Sequence, residues 1–101
     1  MLMETPERPR PYEEEIICLW TDVGGKLVGD PKCNRIKLLT TNYFEKLGTD
    51  ESGWATLFRD PEDSRLWERI YPLSHMHGGG PPALYCLPEE KAKEKYPQLF
   101  R

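Results

Sequence analysis

The sequence predicts an α+β domain: a mostly antiparallel sheet of about five strands in the order β-β-α-β-β-β-α, with two helices packed to one side. Three observations lead there. Alternating apolar residues recur in short runs at 16–21, 54–59 and 65–71, each beside a turn rich in Gly, Pro or Asp. A longer run, 31–47, repeats its apolar residues at helical spacing. A second, shorter helical stretch lies near the C-terminus, opened by Pro88 and stopped by Pro97.

Residues 1–12, with mixed charge and several prolines, read as a flexible or loosely docked arm, and 13–101 as a single domain. Ile16 to Asp30 reads as a hairpin turning at Gly24-Gly25, where both residues tolerate positive φ, and returning along Lys26 to Val28. Ile17, Leu19 and Thr21 share one face, and Ile16, Cys18 and Trp20 the other. A strand apolar on both faces suggests one covered on both sides or placed at the sheet centre.

Asp30 suits a helix N-cap and Pro31 the first helical position. Ile36, Leu39, Tyr43 and Leu47 form the buried stripe, flanked by Leu38 and Phe44, and Gly48 suits the left-handed residue after the helix. The next pair of strands is Trp54–Arg59 and Arg65–Tyr71, joined by Asp60-Pro61-Glu62-Asp63-Ser64 with Pro61 at the second position of a type I turn. Trp54, Thr56 and Phe58 alternate with Ala55, Leu57 and Arg59; Trp67, Arg69 and Tyr71 alternate with Leu66, Glu68 and Ile70. Ala83–Leu87 forms one more strand. The closing helix carries Glu89 and Glu90 in its first turn and Lys91, Lys93 and Lys95 later, as the helix dipole favours.

Composition narrows the function. The 101 residues are 38% hydrophobic and 31% charged, which is too apolar for a disordered tail. No apolar run is long enough to span a membrane, and residues 1–11 hold none of the kind a secretory signal needs. A net charge of −3 argues against a nucleic-acid partner and suits a basic protein. Cys18, Cys33 and Cys86 are odd in number with no C-x-x-C pair. This fits three thiols in a reducing compartment better than a disulfide framework.

The catalytic motifs are incomplete. His75-Met76-His77 offers two imidazoles for a metal, with Cys86 or Asp63 as a third ligand, but it abuts Gly78-Gly79-Gly80 and reads as loop. The triple glycine lacks a phosphate-loop lysine and a following helix, and Pro81-Pro82 removes two donors, so a tight crossover with close backbone approach is the better reading. Glu68 faces inward, with Arg59 or Arg65 as its cross-hairpin partner. Ser74 beside His75 makes no nucleophile elbow. Trp54, Phe58, Trp67 and Tyr71 read mainly as core; any of them at the surface beside carboxylates suits an interface. The expectation is a binding module with no catalytic residues, no metal and no cofactor.

Five pieces carry a resemblance: Asp50-Glu51-Ser52-Gly53-Trp54, Leu57-Phe58-Arg59-Asp60-Pro61, Trp67-Glu68, Tyr71-Pro72, and Gly78-Gly79-Gly80-Pro81-Pro82 with Leu84. Arg35-Ile36 and Glu89-Glu90 to Tyr96 are similar too. Together they resemble the bacterial immunity protein 27 family over about residues 16–97. The resemblance implies a cytoplasmic protein of a polymorphic toxin system that binds and neutralises a cognate toxin. Ser64 departs from the Asp-Gly expected at that turn.

Many such toxins are nucleases with basic clefts, which an acidic inhibitor can block sterically and electrostatically. The expected docking surface is the hairpin tip, Asp60, Glu62 and Asp63, with His75, His77 and Gly78 in an adjacent loop. The free chain is expected as a monomer or weak homodimer with no membrane partner. Two alternatives remain from other classes: a small metal-dependent hydrolase using His75 and His77, and a homo-oligomeric structural subunit that buries its aromatic face.

Overall fold

The computed structural model describes residues 7–73 and 80–100. Its strands are β1 (Glu15–Ile17), β2 (Trp20–Val23), β3 (Lys26–Gly29), β4 (Glu45–Thr49), β5 (Thr56–Arg59), β6 (Leu66–Ile70) and β7 (Ala83–Cys86). Its α-helices are α1 (Pro31–Leu38) and α2 (Glu89–Lys95). Five strands form one antiparallel sheet in the order β1-β7-β6-β5-β4, while β2 and β3 form a two-stranded sheet of their own. The fold is α+β and mostly sheet, as the sequence predicts.

The centre of the sheet follows the expected alternation. Phe58 lies opposite Trp67 and Leu57 opposite Glu68. Phe58, Trp67, Leu84 and Ile16 face Ile36 and Leu39 from the α1 segment, together with Cys18 and Phe44. Leu57 and Leu66, on the other face, pack against Ala92 and Tyr96. The two helices therefore cover opposite faces of the sheet, rather than the same side. Alternate residues of β5 and β6 are apolar on both faces, and each face needs its own cover.

The first predicted hairpin divides into two. Ile16 is buried in β1 at the edge of the main sheet, beside β7. After Cys18 the chain leaves that sheet, and Asp30 N–H closes the hairpin base on Leu19 O at 2.9 Å. Gly24 and Gly25 take φ of 60° and 84°, and Gly25 N–H bonds the Asp22 carboxylate. Leu19, Val23, Leu27 and Val28 are exposed, so the two-faced apolar pattern here marks a projecting hairpin and not a central strand.

The long helix also ends earlier than its stripe suggests. Asp30 caps it, accepting from Lys32 N–H, and Pro31 opens it, as expected. From Leu39 to Tyr43 it widens into a π-turn, in which Phe44 N–H reaches back to Leu39 O at 2.7 Å. The hydroxyls of Thr40 and Thr41 bond carbonyls of the preceding turn, which loosens the helix there. Phe44 is extended and Leu47 lies in β4, not on the helix. Gly48 is a strand residue at a register irregularity, where a Cβ would press on Leu99 at 2.8 Å. Its lack of a side chain leaves room for the Leu99 side chain to pack against the strand there.

Cys18 and Cys33 are bonded to each other, so the reading of three thiols is overturned; Cys86 is the free thiol and is half-buried. Sequence spacing hid the pair, because the whole hairpin lies between them.

Candidate functional site

The hairpin tip is built around Asp60. The Pro61 turn brings the Asp60 N–H to Arg65 O and the Ser64 N–H to Asp60 O, at 2.9 and 2.8 Å. Ser64 takes φ 66°, a left-handed conformation that glycine adopts more easily. Asp60 is buried: Oδ1 accepts from Glu62 N–H at 2.8 Å and from the Tyr43 hydroxyl at 2.9 Å. Burial, followed by the Asp60 hydrogen bond, pushes the Tyr43 pKa up to about 12. Asp60 thus organises the tip from inside.

Glu62 and Asp63 are its exposed carboxylates. Glu62 pairs with Arg8 at 2.7 Å, and Asp63 with Arg65 Nε at 2.7 Å. Burial works the other way, but the Arg65 amide and guanidinium hold Asp63 below the usual carboxylate range. Arg65 also donates to Glu13 O and Arg10 O, and its guanidinium lies over the Trp67 ring. Arg35 donates to Glu7 O, to Arg8 O and to both carboxylate oxygens of Glu13. These two arginines dock the described part of the N-terminal arm along the tip. The tip is therefore acidic in composition but largely neutralised within the chain.

The opposite end of the same hairpin has a different chemistry. Trp54 is 55% exposed and meets Tyr71 edge-on, ring centres 5.8 Å apart. Arg69 lies over the Tyr71 and Phe58 rings. Phe58 and Trp67 are core, as expected, whereas Trp54 is at the surface. Tryptophan, tyrosine and arginine are the residue types most enriched at protein interfaces.

His75, His77 and Gly78 lie outside the described residues. Leu73 follows β6 and Gly80 precedes β7, at the Ile70–Ala83 end of the sheet, whereas the tip joins Arg59 to Leu66. Gly80 has φ 76°, and a Cβ there would run into the Leu73 carbonyl, so the close backbone approach expected of the glycine-proline segment is present at Gly80.

Glu68 is buried, and its partners are the Tyr96 hydroxyl and Lys95 Nζ, both at 2.7 Å, in place of the arginines expected. Tyr96 is raised well above the ordinary phenol range by burial and by Glu68. Among the described residues, one grouping has metal-ligand types close together, Cys18, Asp30 and Cys33. Its two sulfurs are already joined to each other. No helix of the described residues is long and apolar enough to cross a membrane. Sequence reasoning missed Tyr43, which reads there as helix core, and the docking arginines Arg35 and Arg65, which carry no distinguishing local pattern.

Searches among curated proteins and among solved structures found no match. A protein-family model, Immunity protein 27, matches residues 22–88, from β2 through the tip and the glycine-proline segment to the residue before α2. That match spans well over half of the chain and agrees with the resemblance carried by the Trp54, Trp67-Glu68 and Gly80-Pro81-Pro82 pieces: the chain belongs to the immunity protein 27 family.

Proposed function

We propose that this immunity protein neutralises a cognate toxin by covering the toxin's functional cleft with a pre-folded surface, with no cofactor and no catalysis of its own. The observation that carries the reading is the family match over residues 22–88. The proposed contact surface is the tip, where Glu62 and Asp63 are exposed and the buried Asp60 fixes the turn. A basic cleft, such as that of a nuclease, would displace Arg8 from Glu62 and take its place. Exposed Trp54 beside Tyr71 favours a second reading, in which docking uses the aromatic end. The proposed site of action is the cytoplasm of the producing cell, with the chain monomeric or weakly dimeric before capture.

The test is co-expression with the toxin-like reading frame encoded beside this gene, scored by growth and co-purification. Glu62→Lys with Asp63→Lys abolishes rescue if the tip docks; Trp54→Ala does so if the aromatic end docks. Asp60 is left intact because its loss would disturb the turn itself. Failure of the wild type to rescue with any neighbouring frame would sink the toxin reading. Metal analysis and light scattering would then decide between a hydrolase using His75 and His77 and a homo-oligomeric subunit.

A further inference from the structure

The β2–β3 hairpin is held by few contacts. It pairs with no other strand among the described residues, and Thr21 to Gly29 are all exposed. An isolated two-stranded hairpin is only marginally stable in water. Its exposed apolar residues, Val23, Leu27 and Val28, contribute nothing to the core.

What secures it lies at its base. Cys18 is buried just after β1, and Cys33 sits in the first turn of α1, so their bond encloses the entire hairpin. Gly29 lies directly against this bond: a Cβ there would meet Cys33 Sγ at 3.0 Å. The two sulfurs also differ in access. Cys18 is enclosed by the core, whereas Cys33 lines an open cleft with Lys37, Thr40, Thr41 and Arg69. Asp30 Oδ1 lies 3.4 Å from Cys33 Sγ, placed to accept a hydrogen bond from the reduced thiol.

We propose that the Cys18–Cys33 bond is a redox clamp on the β2–β3 hairpin, fixing it when closed and releasing it, without unfolding the main sheet, when open. Opening is a thiol–disulfide exchange with an external dithiol. One reductant thiolate attacks Cys33 Sγ from the cleft, the Sγ–Sγ bond breaks, and Cys18 leaves and takes up a proton. The second reductant thiol then displaces Cys33, so two electrons and two protons pass to the chain and the reductant becomes the disulfide. Closing is the reverse exchange with an oxidised dithiol carrier. In a reducing cytoplasm the clamp stands open; exposure to an oxidant closes it.

The test is amide hydrogen exchange by mass spectrometry on the full chain, oxidised and after treatment with dithiothreitol. A Cys18→Ala/Cys33→Ala variant serves as a permanently open form. Amides of residues 20–29 are expected to exchange about tenfold faster or more when the bond is open, in both samples, while β5 and β6 keep their protection. Three results would overturn the proposal. One is unchanged exchange across 20–29. Another is equal acceleration in β5 and β6, which would make the bond a general staple. The last is an oxidised sample in which Cys18 and Cys33 are still alkylated as thiols. No toxin enters the experiment, so its outcome is independent of the toxin reading.

Discussion

The Tyr96 hydroxyl donates a 2.7 Å hydrogen bond to Glu68 Oε2, joining the residue after α2 to the middle of β6. Glu68 is 6% exposed and has Lys95 as its other partner. Tyr96→Phe keeps the ring and removes one donor from a buried carboxylate. It is expected to cost about 2 kcal/mol in urea denaturation. A midpoint unchanged from wild type would mean that Lys95 alone satisfies Glu68.

Acid should loosen the arm before it unfolds the sheet. The Arg35 hydrogen bond, against some burial, lowers the Glu13 pKa from 4.5 to about 2. Folding therefore favours the charged form. The contribution of this pair is complete above about pH 4.5 and is lost as pH falls through about 2. At one-fifth exposure for the Glu13 side chain it is worth about 2 kcal/mol after allowance for solvent screening. Glu13→Gln should lower stability at pH 7 and flatten the acid limb of the stability–pH curve; an unchanged limb would contradict the assignment.

Ser64→Gly should stabilise the protein. Left-handed backbone costs an L-residue about 1–2 kcal/mol, more than glycine's extra freedom in the unfolded chain, so the net gain is about 0.5–1 kcal/mol. Thermal denaturation checks the sign. A lower melting temperature would show that the serine makes a compensating contact.

Two glycines with similar φ should respond differently to alanine. Gly53 has φ 80° and open space around it, whereas Gly80 has φ 76° and the Leu73 carbonyl in the path of a Cβ. Gly53→Ala is expected to cost about 1 kcal/mol and Gly80→Ala about 3 kcal/mol. Equal costs in chemical denaturation would mean that the Leu73 segment moves aside freely.

Local patterns were readable where one residue decides a conformation. Asp30 and Pro31 marked a helix start, Gly24-Gly25 a turn, and the alternation through Leu57, Phe58, Leu66 and Trp67 assigned both faces of the central strands. The end of α1 was not readable, because Leu39, Tyr43 and Leu47 keep helical spacing while Thr40 and Thr41 divert their hydroxyls to the helix carbonyls. Nor was the departure of β2 from the sheet, since Ile16 and Val23 look alike in sequence and differ only in what lies over them. At the tip, acidic composition was plain, but the pairing of Glu62 with Arg8 depends on a chain segment far away in sequence. The Cys18–Cys33 pair is hidden for a similar reason, as parity and spacing say nothing about which thiols the fold brings together.

The pairing of β1 with β7 sets Glu15 opposite Tyr85 and Ile17 opposite Ala83. During synthesis the first strand of the sheet thus has no partner until the last strand has left the ribosome. The β4–β5–β6 meander, whose contacts are local, can assemble well before that. Ile16 can meet Ile36 and Leu39 early, but it lacks Leu84 until β7 closes the edge. Completion of this sheet is therefore timed by β7, and a chain truncated before Ala83 would leave β1 without its strand partner.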